Sequence, residues 1–275
     1  MMQRSMAFQS ESTSRLALPL VLLVIGDLFF VVLHVAHKMM RRVVNYLLET
    51  DMADGFTAIV QSIGIESLHK LTTYFANPLF NVEMDSGYAE NYQHFKFAGI
   101  IIVLCYLCIK NEIWSFLPWA LLFTYFLADD ALRLHERLGF VIAERSTMTA
   151  PFGLRMQDVG ELIVVAGAGL IILPALLIAY YFASHAVRKI FHNLALILSL
   201  LIFFGVGVDM MHTVFRENQI ISQIFGLVED GGEMLAVSIF GWYTYSLTKR
   251  SLNLKQAVSQ PTYHLPNAVM AAVRH

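Results

Sequence analysis

Acids and histidines recur inside and beside the apolar runs of this 275-residue chain. "GDLFFVVLHVAHK" carries Asp27, His34 and His37, and "FLADDALRLHERLG" carries Asp129, Asp130, His135 and Glu136. "QDVGEL" brings Asp158 and Glu161, "GVDMMHTVFRE" brings Asp209 and His212, and "LVEDGGEM" brings Glu229, Asp230 and Glu233. Carboxylates and imidazoles converging from several helices are the ligand types of iron, manganese and zinc. The candidate metal ligands are therefore Asp27, His34, His37, Asp129, His135, Glu136, Asp209, His212, Glu229 and Glu233, with Arg133 and Arg216 as ion-pairing support behind them. Asp209-x-x-His212 has the acid-x-x-His form of a di-iron half-site. His34, His37, His212 and Asp129 alone would supply the three ligands and open position of a hydrolytic zinc.

Six apolar segments must position these groups, at 16–36, 97–109, 113–128, 159–183, 190–208 and 234–247. Hydrophobic residues make up 57% of the chain and charged residues 15%, and the mean hydropathy is +0.58. So little polar surface cannot coat a soluble domain of this size, and the composition is that of a membrane protein. The expected fold is an all-α integral membrane bundle of six transmembrane helices, at about 16–37, 96–110, 113–136, 158–184, 189–212 and 228–248. The first run is too long for a signal-peptide core and is read as a retained span. Tails are expected at 1–15 and 251–275, and an interfacial connection at 38–95. Cys105 and Cys108 sit together in an apolar run without a second pair, so they are read as core or lipid-facing thiols rather than a disulfide or a zinc half-site.

Alternating spans assign every loop to a face. Five of the six helices then bring acid or histidine to the same end of the bundle. The opposite face, with both termini, carries basic residues that include Arg188, Lys189, Lys249 and Arg250, flanked by Tyr180, Tyr181, Trp242, Tyr243 and Tyr245. From these features both termini are expected in the cytoplasm. At a net charge of −2 with no basic arm, nothing points to nucleic acid.

Regular helical spacing puts Asp27 and His34 on one face, and likewise Asp209, His212 and Arg216. Asp129, Arg133 and Glu136 also align, whereas His135 points roughly 120° away from Asp129 and is expected to face a different neighbour. Asp27 lies near the middle of its span, where a carboxylate requires a partner. His69, His94, His185, His192, His264 and His275 are read as surface or packing residues.

"LADDALRLHERLG", with "LFNVEMDSGYAENYQHFKFAGIII" before it and "VEDGGEMLAVSIFGWY" after it, resembles a group of uncharacterised bacterial multi-pass proteins. That group ends one span with Asp-[Asp/Glu]-x4-His-Glu and starts the last with Glu-[Asp/Glu]-x-x-Glu-Met. A fainter similarity, to the alkaline ceramidase-like membrane hydrolases, implies zinc held by histidine and aspartate near one membrane face. This chain has His34-x2-His37 and lacks that family's late histidine pair.

Three functions follow as expectations. The first is a metal-dependent site, of iron, manganese or zinc, acting on a lipid or lipophilic substrate that arrives from the bilayer. The second is a proton-coupled carrier with Asp27 as its titrating group. The third is a non-catalytic membrane subunit whose acid–arginine network orders the bundle.

Overall fold

The computed structural model describes residues 2–49, 74–147, 149–151 and 154–250, with the backbone alone for 2–16, 43–49 and 111. Among these residues there are helices and turns and no strand. Residues 50–73 of the expected interfacial connection, the C-terminal tail, and with them His69, His264 and His275, lie outside the described residues.

Helix α1 runs Met2–Glu49, continuing beyond both ends of the expected first span. A 3₁₀ turn at Pro78–Phe80, capped by the Asn77 side chain, leads to α2, Tyr88–Asn111. After a second 3₁₀ turn at Trp114–Phe116 come α3, Leu117–Leu132, and α4, Leu134–Arg145. Helix α5 spans Met156–Phe182 and α6 spans His185–Ile202. A π-helical turn at Phe203–Val208 joins α6 to α7, Asp209–Val214. Helix α8, Gln219–Lys249, starts with the Asn218 side chain accepting from the Ile221 N–H.

Four stretches are long and apolar enough to cross a membrane. These are Ala17–Arg42, Tyr88–Lys110, Met156–Phe182 and His185–Val214, of 26, 23, 27 and 30 residues. At 1.5 Å per residue they reach roughly 35–45 Å, against a hydrocarbon core of about 30 Å. Helix α3 has 16 residues, and the N-terminal half of α8 carries Glu229, Asp230 and Glu233.

The apolar core lies where α2, α3, α6 and α8 meet. Leu104, Leu107, Phe116, Phe123 and Leu194 are fully buried there. Phe123 packs on Phe240 at 4.3 Å between ring centroids, and Trp119 meets Phe191 edge-on at 5.6 Å. The outer faces are equally apolar. Leu22, Ile25, Phe29 and Val32 of α1, and Leu170, Ile171 and Leu177 of α5, are exposed. Apolar inside and outside together is what a helix needs when its surroundings are lipid.

Two local features set the acidic end. Arg133 adopts the left-handed region (φ 53°, ψ 47°) and ends α3, so the expected continuous span through 136 is a sharp break followed by α4. Helix α4 then folds back on α5 at a glycine crossing. A Cβ on Gly160 would lie 2.9 Å from the carbonyl carbon and Cα of Gly139, so the two backbones come this close only because both residues lack one.

Candidate metal centre at the acidic end of the bundle

Asp27 is buried and has the partner its depth requires. Lys96 Nζ donates to Asp27 Oδ1 at 2.8 Å, to the Met234 carbonyl at 2.8 Å and to Ser238 Oγ at 3.3 Å. The Ser238 hydroxyl donates to Asp27 Oδ2 at 2.6 Å. The set ties α1, α2 and α8 together through one charge pair. Lys96 stands one residue before the apolar run at 97–109, where a hydropathy boundary treats a charge as the end of a span rather than as part of it.

His34 and His37 pin α1 to the segment before α2. His34 Nδ1 accepts from the Val82 N–H at 3.2 Å, and its Nε2 lies 3.9 Å from Glu83. Lys38 pairs with Glu83 at 2.7 Å, and the His37 Nδ1–H donates to the Phe75 carbonyl at 3.0 Å.

The break at Arg133 corrects the expected direction of His135. Because the helix does not continue regularly, His135 returns to Asp129 instead of facing away. Its backbone N–H donates to Asp129 Oδ1 at 2.9 Å, and its Nδ1–H to Oδ2 at 3.0 Å. That hydrogen bond raises the His135 pKa above the ordinary value, against the opposing effect of burial; the Asp129, Glu136 and Glu161 charges raise it further. Arg133 itself clamps Glu136 through two hydrogen bonds, at 3.0 and 2.6 Å, and reaches Asp85 at 2.7 Å. Arg133 thus pairs with Glu136, whereas Arg216 is exposed. At the start of α5, Asp158 accepts from the Arg155 backbone N–H at 2.7 Å and from its guanidinium at 2.6 and 2.9 Å. Gln157 donates to Glu161 at 2.8 Å.

Among the described residues, two sets of three acid or histidine side chains each bring one ligand atom per residue within 4.8 Å of the others. One is Asp209, His212 and Glu229, all candidates from the sequence. The π-helical turn precedes Asp209, and α8 supplies Glu229. His212 Nδ1 lies 3.0 Å from Glu229 Oε2, while Ser222 Oγ, 3.0 Å from Nε2, holds the other side of the ring. The turn also lets α8 approach, since a Cβ on Gly205 would collide with the Glu233 carboxylate. The other set is Glu90, His94 and Asp130, of which the sequence reads His94 as a surface or packing residue. Its signal was the i,i+4 spacing of Glu90 and His94, hidden because those polar residues precede the apolar run.

A cavity of about 120 Å³ lies beside this second set. Glu90, Gln93, Asp130, Glu136, Asp230 and Glu233 line it. The two strings singled out in the sequence, "DDALRLHE" and "EDGGEM", therefore meet at one cavity wall. His135 also reaches this lining while bound to Asp129, whereas Asp27, His34, His37 and Asp129 make the separate contacts described above.

Membrane-length helices gathered around an acid- and histidine-lined end define a helical membrane protein. A model described as a domain of unknown function (DUF8692) matches residues 97–248, and the chain belongs to that family. No curated protein and no solved structure matches the chain.

Proposed function

We propose that this is a six-span membrane protein whose acidic end is a divalent-metal centre acting on a lipophilic substrate. Helices α3 and α8 complete the six spans with the four of full length. The observation that carries the reading is the approach of Asp209, His212 and Glu229 from α7 and α8. With Ser222 at Nε2, His212 presents Nδ1 to a carboxylate oxygen 3.0 Å away. Bond lengths of about 2.0–2.2 Å hold neighbouring ligand atoms roughly 2.8–3.6 Å apart, so this spacing suits a shared metal. A hydrogen bond on the far ring nitrogen is the usual companion of a ligating histidine. One imidazole with two carboxylates suits iron, manganese or zinc, and three protein ligands leave positions open for water and substrate.

Orientation with both termini in the cytoplasm is supported by the other end of the bundle. There Arg188 donates to the Ala183 and Tyr181 carbonyls and stacks on Tyr180, an arrangement suited to a headgroup boundary. A zinc hydrolase of the alkaline ceramidase-like kind draws no support from His34 and His37, whose Nδ1 atoms face backbone groups. Asp27, the titrating group of the carrier reading, is held by Lys96 and Ser238, which favours a clamp between helices.

Loading the purified protein with Co²⁺ tests the centre. Visible absorption bands of bound ion are expected in the wild type, and His212→Ala should lose those that arise from this centre. Identical spectra from the two proteins would remove the centre from these residues.

A further inference from the structure

We infer that Glu90, His94 and Asp130, with the Gln93 amide oxygen, form a second and separate divalent-cation site in the wall of the cavity. The sequence reading did not place these residues in a metal shell, and none of the four belongs to the Asp209–His212–Glu229 set.

Glu90 and His94 stand one turn apart on α2, which puts both side chains on one face. Asp130 comes from the last turn of α3. His94 Nε2 lies 3.1 Å from Asp130 Oδ2 and 3.7 Å from Glu90 Oε1. These separations fall near the roughly 2.8–3.6 Å expected between donors sharing a metal bonded at about 2.0–2.2 Å. Short as the contacts are, Nε2 is buried and makes no aligned hydrogen bond among the described residues. A nitrogen that two carboxylates approach at ion-pair distance without an aligned hydrogen bond is placed to serve as a co-ligand.

Gln93 supplies an independent pointer. It is 7% exposed and lines the same cavity as Glu90 and Asp130. Its Nε2 donates to Glu233 Oε2 at 3.4 Å, while Oε1 is buried with no partner among the described residues. An unsatisfied buried acceptor is costly, about 1–3 kcal/mol, and a carbonyl oxygen is a good ligand for a hard cation. The donor set is one imidazole nitrogen and three oxygens. That composition favours Mn²⁺, Fe²⁺ or Zn²⁺ over Mg²⁺ or Ca²⁺, which take oxygen ligands. No carboxylate belongs to both sets, so the two would be independent mononuclear sites without a shared bridge.

The test is equilibrium dialysis of the full-length protein in detergent against Mn²⁺ and, separately, Zn²⁺, counting bound ions per chain. The wild type should bind two, His94→Ala one, and Glu90→Gln should weaken that same site at least tenfold. Gel filtration and a thermal melt establish that each variant is folded, and Glu90→Gln keeps the inference testable if His94→Ala does not fold. His94→Ala binding as many ions as the wild type would overturn the inference. A single ion lost only in His212→Ala would also overturn it while leaving the proposed function intact. A single ion lost only in His94→Ala would uphold it and displace the Asp209–His212–Glu229 centre. No bound ion at all would end both.

Discussion

Replacing Lys96 by Met removes the cation that holds Asp27 and leaves a carboxylate that is 4% exposed with the Ser238 hydroxyl as its remaining described partner. Removing one member of a buried pair costs about 3–5 kcal/mol, because the surviving charge stays desolvated. The Met234 carbonyl also loses its donor, at 2.8 Å, adding a smaller penalty. Lys96→Met should therefore lower stability by about 3–5 kcal/mol, measured by equilibrium unfolding in mixed detergent micelles. Asp27→Leu with Lys96→Met removes both charges and should recover most of the loss. A loss under about 1 kcal/mol for Lys96→Met, or a double variant as unstable as the single, would refute the clamp.

Three further outcomes test the frame around the centre. Gly160→Ala should cost about 1–3 kcal/mol in thermal or detergent unfolding, since its Cβ would meet Gly139 backbone that cannot rotate away; Gly169→Ala, with open space at that position, should cost nothing measurable. Asp158→Ala should destabilise by about 1–3 kcal/mol by the same assay, because it strips a buried acceptor from the start of α5. The raised pKa of His135 gives stability that is complete below the ordinary histidine value of 6.5 and is lost as pH rises through the folded value. The stability difference between wild type and His135→Gln should thus narrow as pH is raised from 6 to 9; a constant difference would show that the Asp129 bond does not depend on the imidazolium.

Much of the helical plan was legible because a span leaves a coarse mark, an apolar run of sufficient length. The convergence of Asp209, His212 and Glu229 was legible as well, since acids and histidines at one end of several spans have few places to go. Other features were hidden for physical reasons. Lys96 reads as a flank, yet burial against Asp27 offsets its charge and draws it into the bundle. The αL turn at Arg133 carries no glycine to announce it, and without it the direction of His135 comes out wrong. Glu90 and His94 lie outside the apolar window but inside α2, because helix and hydrocarbon boundaries need not coincide. The i,i+4 pairing of those two residues is a helical signal that no hydropathy average retains.

The chemistry proposed for this protein rests on a metal held by Asp209, His212 and Glu229. Elemental analysis of the wild type and His212→Ala, purified in detergent without chelators, tests it most directly. Iron, manganese or zinc is expected near or above one ion per chain in the wild type, with one ion fewer in the variant. A metal-free wild type, or a variant that retains every ion, would contradict it.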